Sequence, residues 1–211
     1  NQSTTYVGSF DAAETFGRQI RAEAQRRGMG SALVVVFLGD GAAWVWELAR
    51  VNFPGAIYIL DFYHAVEHLN YLCQSLYADR EPWVTQMQER WYQQMENDGI
   101  GDVIASARRR LSALPPSVHE EIEKQITYFE NNQERMLYQT YRQKGYFYGS
   151  GVVEAGCKTV VGQRLKLSGM LWSEPGAENV LQLRCALLGN RWDECWNRVH
   201  QSDYLQIRAA A

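Results

Sequence analysis

No apolar run in the 211-residue sequence approaches the roughly 20 residues needed to cross a bilayer, and no signal-peptide pattern is visible. A membrane location is therefore not expected. Paired cysteines are missing too. The four cysteines, Cys73, Cys157, Cys185 and Cys195, form no C-x-x-C, which argues against a zinc ribbon or a thioredoxin-like motif. They read instead as reduced, semi-buried residues of a cytoplasmic protein. There is no excess of positive charge: the formal net charge is −3, so no global field announces a nucleic-acid partner. A basic surface carried upstream would not register in that sum. Repeats and low-complexity tracts are absent apart from Ala209-Ala210-Ala211. What remains is a globular composition, 46% hydrophobic and 21% charged. The length suits one sizeable core, or one core with a helical annex.

Along the chain, Thr4 to Phe10 reads as a strand end. Asp11 and Glu14 have the spacing of a capping box, and Phe16, Ile20 and Ala24 follow at helical period until Gly28 and Gly30. Ala32 to Leu38 (ALVVVFL) is short, apolar and rich in β-branched residues, as a strand buried on both faces of a parallel sheet would be. A helix is expected over Ala42 to Asn52, a second strand over Ala56 to Leu60, and a helix over Phe62 to Leu76. Strand, helix, strand, helix in this rhythm implies right-handed parallel crossovers, hence an α/β class. From Glu81 to Lys144 the pattern turns wholly helical, with Trp83, Met87, Trp91, Met95, Ile122, Ile126 and Phe129 in register. A further helix runs from Val152 to Leu165, and Glu178 to Leu188 and Arg191 to His200 close the chain. This reading divides the chain into core strands and helices over 1–80, a helical insertion over 81–145, and a terminal helical segment over 146–211.

Asp40 follows the first strand between Gly39 and Gly41. Open α/β sheets place ligands at the carboxyl ends of their strands, and the glycines allow close approach. A turn or helix N-cap explains the same Asp equally well. Asp61 repeats the arrangement after the second strand, with helix capping as its commoner use. His64 lies one turn later on the same face. His64-Ala65-Val66-Glu67-His68 also fits H-x-x-E-H, in which the two histidines would bind zinc and Glu67 would act as the base of a metalloprotease. Glu154 stands in the first turn of its helix, four residues before Lys158, where a dipole-stabilised ion pair competes with a metal-ligand role. Lys158, Arg164 and Lys166 are candidates for holding DNA phosphates, and Trp172 for stacking a base, although a solvated face and a core aromatic are the plainer readings.

Taken in order, strand end, helix, strand with Asp40, helix, strand, and later a helix with Glu154 follow the second half of an RNase H-like core. The segments LGDGAAWVWELA, FPGAIYILDFYHAVEHL and GSGVVEAGCKTVVGQRLKLSGMLWS, followed by NVLQLRCALL and WDECW, resemble the C-terminal part of bacterial ISKra-type insertion-sequence transposases, of the Mutator-like DDE group. The resemblance runs from about Ser3 to Trp196. It implies a partial RNase H-like core lacking its first strands, with an all-helical insertion before the last catalytic helix. On it, Asp40 is the second catalytic and metal-binding acid, Glu154 the third, and Asp61 with His64 the accompanying D-x-x-H element. It further implies two Mg²⁺ (or Mn²⁺) ions, transposon-end and target DNA as partners, a homo-oligomer in the synaptic complex, and a place in the bacterial cytoplasm at the nucleoid. The family's first Asp lies in a D-G-T-like strand that nothing here supplies, and the chain opens on Asn1 rather than Met. The expectation is thus a C-terminal fragment with little activity alone. Two other classes stay open, the H-x-x-E-H zinc protease and a non-catalytic remnant or interaction domain.

Overall fold

A computed structural model of the protein describes residues 4–78, 80–198 and 200–201. The chain separates into two compact units, Ser31–Ser150 and a second formed from the described residues of Asn1–Gly30 and Gly151–Ala211. Among the described residues the fold is mostly helical with two parallel strands, a mixed α/β arrangement.

In the Ser31–Ser150 unit, β1 (Val36–Gly39) and β2 (Ile57–Leu60) pair in parallel, Val36 opposite Ile57 through Gly39 opposite Leu60, joined by α2 (Ala43–Asn52). The ladder runs one residue further at its carboxyl end, where the Asp61 amide donates to the Gly39 carbonyl at 2.7 Å. β1 departs from expectation in two ways. It begins at Val36 rather than Ala32, with Leu33 fully exposed, and it is half-buried rather than covered on both faces. Among the described residues it has one partner strand, so it is an edge and not the centre of a wider sheet. The residues before Val36 are as apolar as those after, but mostly lack a ladder to join.

Five helices follow: α3 (Phe62–Tyr77), α4 (Glu81–Glu96), α5 (Ile100–Leu111), α6 (His119–Asn132) and α7 (Tyr138–Gln143). Each long one presents an apolar stripe at helical spacing: Ala65, Leu69, Leu72 and Leu76 on α3; Met87, Trp91 and Met95 on α4; Ile122, Ile126 and Phe129 on α6. Trp83, although in phase, is half exposed. These stripes form one core with Ile59 and Leu60 of β2. The stretch expected as an insertion over 81–145 shares a core with the strands, and the compact units divide at Gly30–Ser31 and Ser150–Gly151. Asp98, at φ 64°, ties the α4–α5 turn to α7 by accepting from the amides of Gln139 and Thr140 at 2.8 and 3.2 Å.

In the second unit, α1 (Ala13–Arg26) ends at Gly28, whose φ is 88°. The capping box is not formed: Ala12 is the N-cap, and the Asp11 carboxylate accepts from Ser9 Oγ at 2.7 Å and Gln19 Nε2 at 2.8 Å instead. Residues 4–9 are not a strand. They run beside α10 (Glu174–Leu188), where Gln182 Nε2 donates to the Gly8 carbonyl at 2.7 Å and Tyr6 packs against the cluster of Val160, Leu181 and Cys185. α10 starts four residues before the expected Glu178 because Ser173 caps it and Pro175 fits its first turn. A last helical stretch covers 192–198. The helix expected over Val152–Leu165 is α8 (Gly151–Gly156), a π-helical turn (Cys157–Gly162) and α9 (Gln163–Leu165). A π turn replaces the regular i→i+4 ladder with wider i→i+5 bonds; here the Arg184 guanidinium of α10 donates to the carbonyls of Val160, at 2.7 Å, and Thr159. Among the described residues no helix is long and apolar enough to cross a membrane.

Candidate functional site

The carboxyl edge of the β1–β2 pair carries Asp40 and Asp61 at the register position after Gly39 and Leu60. Adjacent parallel strands lie about 4.8 Å apart, so the two backbones are neighbours there. Their side chains differ in situation. Asp40 is exposed, and its Oδ1 accepts from the Ala42 amide at 3.0 Å, as a turn aspartate does. The loop is tightly held. Gly41 has φ 97°, and a Cβ on it would stand 2.6 Å from the Tyr128 ring and 3.0 Å from Leu60; a Cβ on Gly39 would stand 2.7 Å from Val45. Tyr128 of α6 also donates its hydroxyl to the Asp40 carbonyl at 3.0 Å. Burial, then the negative charges of Asp40, Asp61 and Glu67, push the Tyr128 hydroxyl well above its ordinary pKa, so it stays a donor.

Asp61 is only 3% exposed. Its Oδ1 accepts from the His64 amide at 2.9 Å, which makes it the N-cap of α3. Its Oδ2 is buried without a hydrogen-bond partner, as is the Tyr138 hydroxyl. The D-x-x-H pair is thus joined through the His64 main chain rather than through its ring. That ring is 39% exposed, with Nδ1 3.5 Å from Glu67 Oε2. It meets His68 edge-on with centroids 5.0 Å apart. His68 in turn stacks on Tyr128 at 3.8 Å and 15°, while its Nδ1 bonds Gln125 Oε1 at 2.7 Å. Tyr128 and Gln125 lacked any sequence signal, since each is one polar or aromatic position on a regular helix. Beside this edge a cavity of about 480 Å³ is lined by Gly41, Trp46, Tyr58, Tyr128, Asn132 and Arg135. Trp46 Nε1 donates to Asn132 Oδ1 at 2.8 Å, and the Arg135 guanidinium lies 4.7 Å over the Trp46 ring.

Glu154 belongs to the other unit, on the exposed side of α8 immediately before the π turn. In the same unit Lys158 is exposed within the π turn, Lys166 is exposed after α9, and the Arg164 guanidinium stands 5.9 Å over the ring of Trp172. The structure thus brings together Asp40, Asp61, His64 and His68 in one unit, and Glu154, Lys158, Arg164, Lys166 and Trp172 in the other. Among the described residues no three His, Cys, Asp or Glu side chains form a metal-ligating group. The donor chemistry of Asp40, an exposed carboxylate after a strand end, nonetheless suits a hard divalent cation that keeps much of its water. No protein-family model, curated protein or solved structure matches the chain.

Proposed function

We propose that this chain is part of a DDE-type DNA transposase built on an RNase H-like core, acting on transposon-end and target DNA in the bacterial cytoplasm. The observation that carries the reading is Asp40. It is a solvent-open carboxylate on a glycine-flanked loop at the carboxyl end of a parallel strand, clamped from α6 by Tyr128. Open α/β sheets bind ligands outside the carboxyl ends of their strands, which supports a role for Asp40 at a phosphodiester. In this reading Asp40 and Glu154 are each catalytic, metal-binding acids, as is an acid of a D-G-T-like strand. Two bound Mg²⁺ or Mn²⁺ ions supply Lewis-acid assistance to an in-line displacement at phosphorus. Asp61 sets the start of α3 and with it the position of His64. Lys158, Arg164 and Lys166 neutralise phosphates, and Trp172, stiffened by Arg164, offers a face for a base. Synapsis of two transposon ends asks for a homo-oligomer.

The test is a cleavage and strand-transfer assay of the transposase containing this chain, with Mg²⁺ and DNA bearing the ends of its own element. Cutting should require divalent metal and should disappear in Asp40→Ala and in Glu154→Ala while circular dichroism stays unchanged. Activity retained by either variant removes that residue from the site.

A further inference from the structure

His64 and His68 sit at i and i+4 of α3, on its half-exposed face. In the arrangement described above, His68 has a hydrogen-bond acceptor on Nδ1, Gln125 Oε1 at 2.7 Å, and the Glu67 carboxylate lies 3.5 Å from Nδ1 of His64. An acceptor on Nδ1 keeps the hydrogen there and leaves the lone pair on Nε2, the form in which imidazole binds a metal. The separation also suits the role. Two imidazoles converging on a tetrahedral ion, with Zn–N of about 2.0–2.1 Å, have ring centroids about 5 Å apart. The centroids of His64 and His68 are 5.0 Å apart. The Tyr128 ring pins one face of His68, so the second ring is already oriented.

We propose that His64 and His68 form a two-nitrogen binding site for a borderline-soft divalent cation such as Zn²⁺, with Gln125 and Glu67 as the outer partners that orient the rings. Water fills the remaining coordination positions, since no third His, Cys, Asp or Glu joins the pair among the described residues. Imidazole nitrogen selects this site against Mg²⁺, which takes hard oxygen ligands. The site is therefore separate in chemistry from the magnesium sites proposed for Asp40 and Glu154. In this proposal Glu67 acts as an outer partner of His64, whereas in a zinc protease that glutamate would activate water.

The experiment is calorimetric titration of the protein with Zn²⁺ alone, in the presence of excess Mg²⁺. One Zn²⁺ per chain should bind, and His64→Ala, His68→Ala and the double variant should abolish that binding with circular dichroism unchanged. Gln125→Ala, which removes no ligand, should weaken binding by about 10- to 100-fold, the usual cost of losing an outer hydrogen-bond partner. Three results would overturn the proposal: no Zn²⁺ uptake, uptake that persists in the double variant, or unchanged affinity in Gln125→Ala. None depends on DNA cleavage, so the transposase reading can fail while this one stands, and the reverse.

Discussion

The Tyr128 hydroxyl donates to the main-chain oxygen of Asp40 at 3.0 Å, across 88 residues of sequence. A helix far along the chain thereby fixes the loop on which the candidate acid stands. Tyr128→Phe deletes that hydrogen bond and keeps the stack on His68. The expected loss is about 0.5–1.5 kcal/mol in urea denaturation. Gly41→Ala should cost more, on the order of 1–3 kcal/mol, because φ 97° is strained for alanine. The new methyl would also press on the Tyr128 ring. Equal stability of Gly41→Ala and wild type would mean that the loop is not held as described.

Asp40 and Asp61 should separate function from stability. Asp61→Ala removes the cap of α3 and should cost about 0.5–2 kcal/mol. Asp40→Ala gives up one exposed turn bond and should stay within about 0.5 kcal/mol of wild type, as surface changes usually do. In the cleavage assay the order reverses, with Asp40→Ala the more damaging. Paired denaturation and activity measurements decide it.

Trp91 reports on whether α4–α6 and the strands share one core. It is fully buried in the cluster that also contains Ile59 and Leu60 of β2. Trp91→Ala should cost about 3–5 kcal/mol. Hydrogen exchange should show protection falling in β2 as well as in α4. Loss confined to α4 would make the helical stretch an independent layer.

Burial pushes the Cys73 thiol up to about 12. A thiol whose folded pKa is raised contributes stability that is complete below its unfolded pKa, about 8.5, and is lost as pH rises towards the folded value. Native Cys73 should therefore resist iodoacetamide at pH 8, whereas exposed Cys157 should react readily. In denaturant both should label alike. Mass-spectrometric mapping of the labelled cysteines checks the contrast.

Where structure follows from local chemistry, the sequence was readable. The apolar run into Asp61 gave β2, the cap and α3, and the four-residue beat of Met87, Trp91 and Met95 gave α4. Reading failed where partners are distant. Ala32 to Val35 are as strand-like as the residues after them, but most of them find no ladder. Asp11 has a capping spacing, yet Ser9 and Gln19 take its carboxylate. The π turn at Cys157–Gly162 takes hydrogen bonds from Arg184 of another helix. At the candidate site, Asp40, Asp61 and the two histidines stood out as motifs, whereas Gln125 and Tyr128 are bonded to them at separations of 57 and 88 residues. No local pattern encodes that.

The division into units has a consequence for biogenesis. Ser31–Ser150 is one uninterrupted stretch, while the other unit needs both the residues before it and those after Gly151. Domains fold as units while the polypeptide emerges from the ribosome. The strand-bearing unit can therefore close while translation continues, whereas α1 must wait for Arg191, which pairs with its Glu23 at 2.8 Å. A nascent chain stalled once Ser150 has cleared the ribosome would carry a finished carboxyl edge with Asp40 in place, while α1 still lacks the rest of its unit.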